Sequence, residues 1–216
     1  MLPFTHAQFI EVFARYNASV WPAQVAAYVL ALAMVVAIVS PWKARGRLVA
    51  GGLALMWLWT GVAYHGIHFS PINKAAYLFG ALFVAQALLL FRAALRDALR
   101  FGPSGHAKQW LGWSLVAYAT VFYPVLGLWA GFRPVELPMF GITPCPVTIF
   151  TFGILLLGAP PVPRPLLAVP VLWSLIGGSA AFLLHVPQDW LLLASGFSVI
   201  LLLHPGDSMA AARFKE

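Results

Sequence analysis

The chemistry this chain could perform rests on a handful of side chains set in an otherwise apolar sequence. Cys145 is the only thiol in 216 residues and lies between Pro144 and Pro146 in GITPCPVTIF. Proline suits the first turn of a helix, because its missing N–H has no intrahelical partner there and its φ is already helical. The motif therefore predicts a helix start with Thr143 as N-cap and Cys145 in the first turn, where free N–H groups and the positive dipole end favour an anion or a thiolate. The competing reading of Cys145 is a small buried hydrophobe among prolines that fix the helix start.

Histidines offer a second chemistry. Gly61, Tyr64, His65 and His68 follow one another at spacings of three and four, which on an α-helix lines them along one face. His65 and His68 could then share a metal ion, and with Cys145 and His185 they would suit zinc or copper, since imidazole and thiolate bind both. Each histidine could equally donate to a carbonyl or favour a helix C-terminus. No two-ligand motif of a known metal site accompanies them.

Two further polar residues follow prolines at predicted helix starts: Asn73 after Pro71-Ile72, and Asp189 after Pro187-Gln188. A carboxylate in a first turn complements the dipole, and an ionisable group at membrane depth is a functional candidate with Lys74 or Arg133 as its expected partner. Glu136, in FRPVELPMFG, is expected to be solvated. The candidate binding set is His65, Asn73, Cys145, Gln188, Asp189, Tyr64 and Thr143; the candidate metal set is His65, His68, Cys145 and His185.

The elements that must position these residues are hydrophobic. The chain is 62% hydrophobic and 9% charged, with mean hydropathy +0.86, far from the roughly 25% charged residues of a soluble domain. This composition predicts an all-α, polytopic membrane protein with membrane lipids as partners. Seven spans are read at 19–40, 47–66, 71–92, 109–131, 144–158, 165–185 and 187–204, the fifth of them short. They form a single transmembrane domain over 19–204, preceded by an N-terminal segment (1–18) and followed by a tail (205–216). In the N-terminal segment Phe4, Phe9, Phe13 and Tyr16 recur at near-helical spacing behind a Thr5/Gln8 capping box, as expected of a helix lying in the interface.

Basic residues set the orientation. Lys43, Arg45, Arg47, Arg92, Arg96, Arg100, Lys108, Arg164, Arg213 and Lys215 fall on one side of the spans, against Arg15, Lys74 and Arg133 on the other. The positive-inside rule predicts the N-terminus outside and the C-terminus in the cytoplasm. The formal charge of +7 is explained by these short loops, and no nucleic-acid partner is expected. One cysteine excludes an intrachain disulfide. A shift of 116 residues aligns Trp57 with Trp173, Gly61 with Gly177, Pro71 with Pro187, Asn73 with Asp189 and Gly80 with Gly196. If this reflects duplication, the arrangement is 3+1+3 with parallel repeats, and Asn73 and Asp189 are symmetry mates. The run Gly177-Gly178-Ser179-Ala180-Ala181 lets a neighbouring helix approach or a cavity open.

The motifs YNASVWPAQ, YHGIHFSPINKAAYLFGALF, GITPCPVTIFT and GGSAAFLLHVPQD resemble a family of bacterial multi-pass membrane proteins classed as a domain of unknown function. That resemblance implies a bacterial inner-membrane location and supplies no activity. The Pro-Gln pair and the seven-span, N-out topology are also similar to PQ-loop and sugar-exporter proteins, although here the pair opens span seven instead of lying in spans one and five.

Together these features predict a small transporter, permease or ion-handling protein with a polar site at the extracytoplasmic leaflet. Its ligand would be a small ion or small molecule. The alternatives are an intramembrane enzyme, thiol- or metal-dependent and acting on a lipid or quinone, and a sensor or assembly subunit without turnover. Small-residue faces would permit a homo-oligomer.

Overall fold

The structure is a computed structural model and describes residues 3–102 and 105–202. The predicted tail, with Arg213 and Lys215, and the last two residues of the seventh span lie outside the described residues.

Helix α1 (His6–Ser19) starts on the expected capping box: Gln8 N donates to Thr5 Oγ1 (3.2 Å) and Thr5 N to Gln8 Oε1 (2.8 Å). It turns through 81° into α2 (Ala23–Val39). Helix α3 (Arg45–Trp59) continues without a break into a π-helical segment, Thr60–Phe69. Helix α4 (Ala76–Leu95) runs back alongside it. Helices α5 (His106–Ala117) and α6 (Tyr123–Trp129) are joined by a second π segment, Tyr118–Phe122. A single turn at Pro134–Glu136 leads to α7 (Pro144–Leu157), followed by α8 (Pro165–Leu183), a turn at Pro187–Asp189, and α9 (Trp190–Leu202).

Among the described residues four helices are long and apolar enough to cross a membrane: Arg45–Phe69, Ala76–Leu95, His106–Trp129 and Pro165–Leu183. The bent pair α1–α2 makes a fifth if taken as one span. These four coincide with the second, third, fourth and sixth predicted spans. Helix α7 has 14 residues, about 21 Å at 1.5 Å per residue, against a hydrocarbon core of about 30 Å. Every residue of α7 except Cys145 is buried, against α3, α5, α8, α9 and the second π segment. It is an enclosed pillar, and its hydrophobicity serves protein packing.

Glycines set the closest helix crossings. A Cβ at Gly80 on α4 would sit 2.8 Å from the Gly61 carbonyl oxygen on the π segment, and one at Gly153 on α7 would sit 2.8 Å from the Gly112 carbonyl of α5. At the α8–α9 crossing, Gly178 meets the Leu193 backbone and Gly196 meets Ser174. The small residues that align under the 116-residue shift thus lie at the α3–α4 and α8–α9 contacts. Trp57 Nε1 ties α3 to the pillar by donating to Thr151 Oγ1 (2.9 Å).

Candidate functional site

The small-residue run on α8 and the π segment of α3 leave space between them. A cavity of about 290 Å³ opens there, walled by Phe4 just before α1, Phe9 and Phe13 of α1, Phe69 and Phe79, and Ile176 and Leu183 of α8. Its polar lining comes from Tyr64, His65, Asn73, Cys145, Trp173 and Asp189. Five of the seven predicted binding residues therefore line one space: His65, Asn73, Cys145, Asp189 and Tyr64. All come from helix ends at the same side of the bundle, which is why a linear reading could gather them.

The π segment decides where the histidines go. Hydrogen bonding from i to i+5 packs more residues into each turn than an α-helix does, so positions three apart no longer share a face. His65 is 1% exposed and sits among Phe83 (ring centroids 4.8 Å apart), Trp173 (5.2 Å), Tyr64 (5.1 Å) and Phe79 (5.9 Å). Neither of its ring nitrogens has a hydrogen-bond partner among the described residues. A buried polar group left unpaired costs about 1–3 kcal/mol, and His65 holds two such nitrogens on a residue that lines the cavity.

His68 is turned away. Its Nδ1 donates to the Ala63 carbonyl (2.8 Å), and its Nε2 is bonded to the Ser19 hydroxyl (2.9 Å). His185 is exposed, with φ 53°, beyond the end of α8. Among the described residues no three His, Cys, Asp or Glu side chains are arranged to hold a metal ion. The predicted zinc or copper set of His65, His68, Cys145 and His185 is thus not assembled: the π turn separates the first two, and the left-handed residue after α8 carries the last into the open.

Asp189 is 6% exposed and accepts a hydrogen bond from the Tyr123 hydroxyl. No basic side chain pairs with it among the described residues. The two expected partners are engaged elsewhere. Lys74 lies over the Tyr77 ring, 5.8 Å from its centroid, and Arg133 is bound to Glu136 at 2.7 Å. Glu136 itself, expected to be solvated, also accepts from Arg133 N (2.8 Å) and clasps the loop that Asn17 holds through the Val135 and Leu137 carbonyls (2.8 Å each). The guanidinium hydrogen bond holds its carboxyl below the usual carboxylate range.

Cys145 is partly exposed to the cavity and lies beside Asp189 and Trp173. No hydrogen bond joins it to His65 among the described residues, so the thiol and imidazole do not form a nucleophile–base pair. Thr143 holds the N-cap position of α7, but its hydroxyl donates to the Met139 carbonyl (2.8 Å) and caps nothing. Gln188 also falls outside the cavity: its carbonyl accepts from Tyr118 Oη (2.7 Å), and its amide, unpartnered, faces Gly127. The turn at Pro187–Asp189 points adjacent residues to opposite sides.

Two residues of the site were not read from sequence as site residues. Trp173 offers a buried indole N–H beside the Cys145 thiol; its only sequence signal is its alignment with Trp57. Tyr123 holds Asp189, and its signal is a phenol in an apolar helix next to Pro124.

Fold and site together define a helical bundle of membrane-crossing length that encloses an apolar cavity with one polar end. The chain belongs to DUF6064, a family of unknown function, whose match runs over residues 6–213. No curated protein and no solved structure matches it, and nothing supports the likeness to PQ-loop and sugar-exporter proteins.

Proposed function

We propose that this chain is a small inner-membrane permease that binds a predominantly apolar molecule with one hydrogen-bonding end. The orphaned His65 on the wall of an otherwise aromatic and aliphatic cavity carries this reading. Its imidazole, the Trp173 N–H and the Asp189 carboxylate would take the polar end of the cargo, and Phe9, Phe79 and Ile176 its body. Among the described residues Asp189 is the only carboxylate lining the cavity and no basic side chain pairs with it, which disfavours anionic cargo and favours a neutral or cationic amphiphile. Binding sites of this kind are concave and mostly apolar, with few polar groups that fix orientation.

The charge distribution supports an orientation with the cavity in the extracytoplasmic leaflet and the Arg45 end in the cytoplasm. In that orientation α1 lies across the cavity mouth at the outer surface. Seven membrane segments would then comprise α2, α3 with its π segment, α4, α5–α6, the short α7, α8 and α9.

The test is a titration of the purified chain with a panel of phenols, alkylamides and alkylamines, read by tryptophan fluorescence, followed by flux of the best binder in proteoliposomes. His65→Leu should weaken binding about tenfold or more, the loss of one or two buried hydrogen bonds. Unchanged affinity in that variant, or preference for inorganic anions, would overturn the proposal.

A further inference from the structure

The opposite end of the bundle, where α2, α4 and α7 finish and α3, α5 and α8 begin, carries a second concave site. Eight described basic residues gather at this end: Lys43, Arg45, Arg47, Arg92, Arg96, Arg100, Lys108 and Arg164. Asp97 is the one acid among the described residues there, and its carboxylate reaches Arg47 Nε only at 4.0 Å.

Within this field two cavities of about 320 Å³ each adjoin at Arg45 and Phe101. Lys43, Arg100, Trp42 and Asp97, the last beside Arg47, line the first; Val39, Gln109 and Trp113 line the second. The Arg45 guanidinium between them is fixed, donating to the carbonyls of Ile38 (3.2 Å), Ser40 (2.7 Å) and Phe101. In contrast, the side chains of Lys43 and Arg100 make no ion pair or hydrogen bond among the described residues. Trp42 is 50% exposed and Val39 68% exposed, so exposed apolar surface borders the exposed Lys43 and Arg100 and the half-buried Arg45.

We propose that these joined cavities bind the phosphate headgroup of an anionic phospholipid. Lys43 and Arg100 are its charge contacts, Arg45 is a rigid cationic wall, and the acyl chains leave along Trp42 and Val39. Unpaired cations in a pocket at a helix-bundle end, bordered by apolar surface at the depth of the headgroups, match the chemistry of such a lipid better than that of a free anion, which needs no apolar rim. The site is separate from the His65 cavity and does not depend on what that cavity carries.

The experiment uses the full chain in an uncharged detergent. Thermal stability and native mass spectra are recorded with phosphatidylglycerol, phosphatidylcholine and inorganic phosphate. Phosphatidylglycerol should raise the melting temperature saturably and stay bound in the spectra, whereas phosphatidylcholine should do neither. Lys43→Gln with Arg100→Gln should weaken that response roughly 30-fold, the effect of two charges near a membrane surface. Arg92→Gln with Arg96→Gln, which removes the same charge from the same end, should leave it within about twofold. Equal loss in both double variants would mean diffuse attraction and overturn the site. An equal response to inorganic phosphate would overturn its assignment to a lipid.

Discussion

Tyr123 donates its phenolic hydrogen to the Asp189 carboxylate across 66 residues of sequence, joining the start of α6 to the turn before α9. Both groups are buried, and the Cys145 thiol is the carboxylate's other neighbour. Tyr123→Phe should therefore lower stability by about 1.5–3 kcal/mol, the range for a hydrogen bond to a charged group. In an Asp189→Asn background the same change should cost less, and the coupling from the four-variant cycle should exceed about 0.5 kcal/mol. Reversible unfolding in mixed micelles measures it; additive losses would show that the two side chains act independently.

His65 should behave as a residue kept at the expense of stability. His65→Leu conserves bulk and removes two unpaired buried nitrogens, so the ligand-free protein should be unchanged or stabilised by about 1–3 kcal/mol. Melting temperature in detergent is the readout. A loss of more than about 2 kcal/mol would make His65 a structural residue.

Gly80 and Gly51 provide a matched pair. Alanine at Gly80 would set its Cβ against the Gly61 carbonyl and force α4 from the π segment, costing about 1–3 kcal/mol, while nothing lies within 4 Å of a Cβ at Gly51. Gly51→Ala, in a helix interior, should stabilise by about 0.5–1 kcal/mol. The two melting curves should move in opposite directions.

The loop below α1 should loosen in acid. Glu136 is held below its usual range by Arg133, so the clasp is present above the unfolded-state value, about 4.3 for glutamate, and is lost as pH falls through the folded one. Protection of the Arg133 and Glu136 amides, taken relative to intrinsic exchange at each pH, should fall on acidification, and Glu136→Gln should remove that pH dependence.

Part of this was legible from residue types alone. Hydropathy located the helices, and the Thr5/Gln8 box located the start of α1. His65, Asn73, Cys145 and Asp189 could be gathered because each stands near a helix terminus on one side. What escaped was rotation and enclosure. No residue pattern announces i to i+5 hydrogen bonding, so the alignment of His65 with His68 failed. The turn at Pro187 likewise separates Gln188 from Asp189. Nor does composition distinguish a helix that faces lipid from one that faces only protein, because both must be apolar; the enclosure of α7 was therefore not legible.

That enclosure bears on biogenesis. Helix α7 leaves the ribosome before α8 and α9, two of the walls that cover it, have been made. In a membrane-inserted chain α7 is too short to hold a stable transbilayer position by itself and would wait against α3 and α5 until α8 and α9 close around it. Truncation after α7 should accordingly yield a chain that quality-control proteases remove, because the bundle closes around α7 only once α8 and α9 have been made.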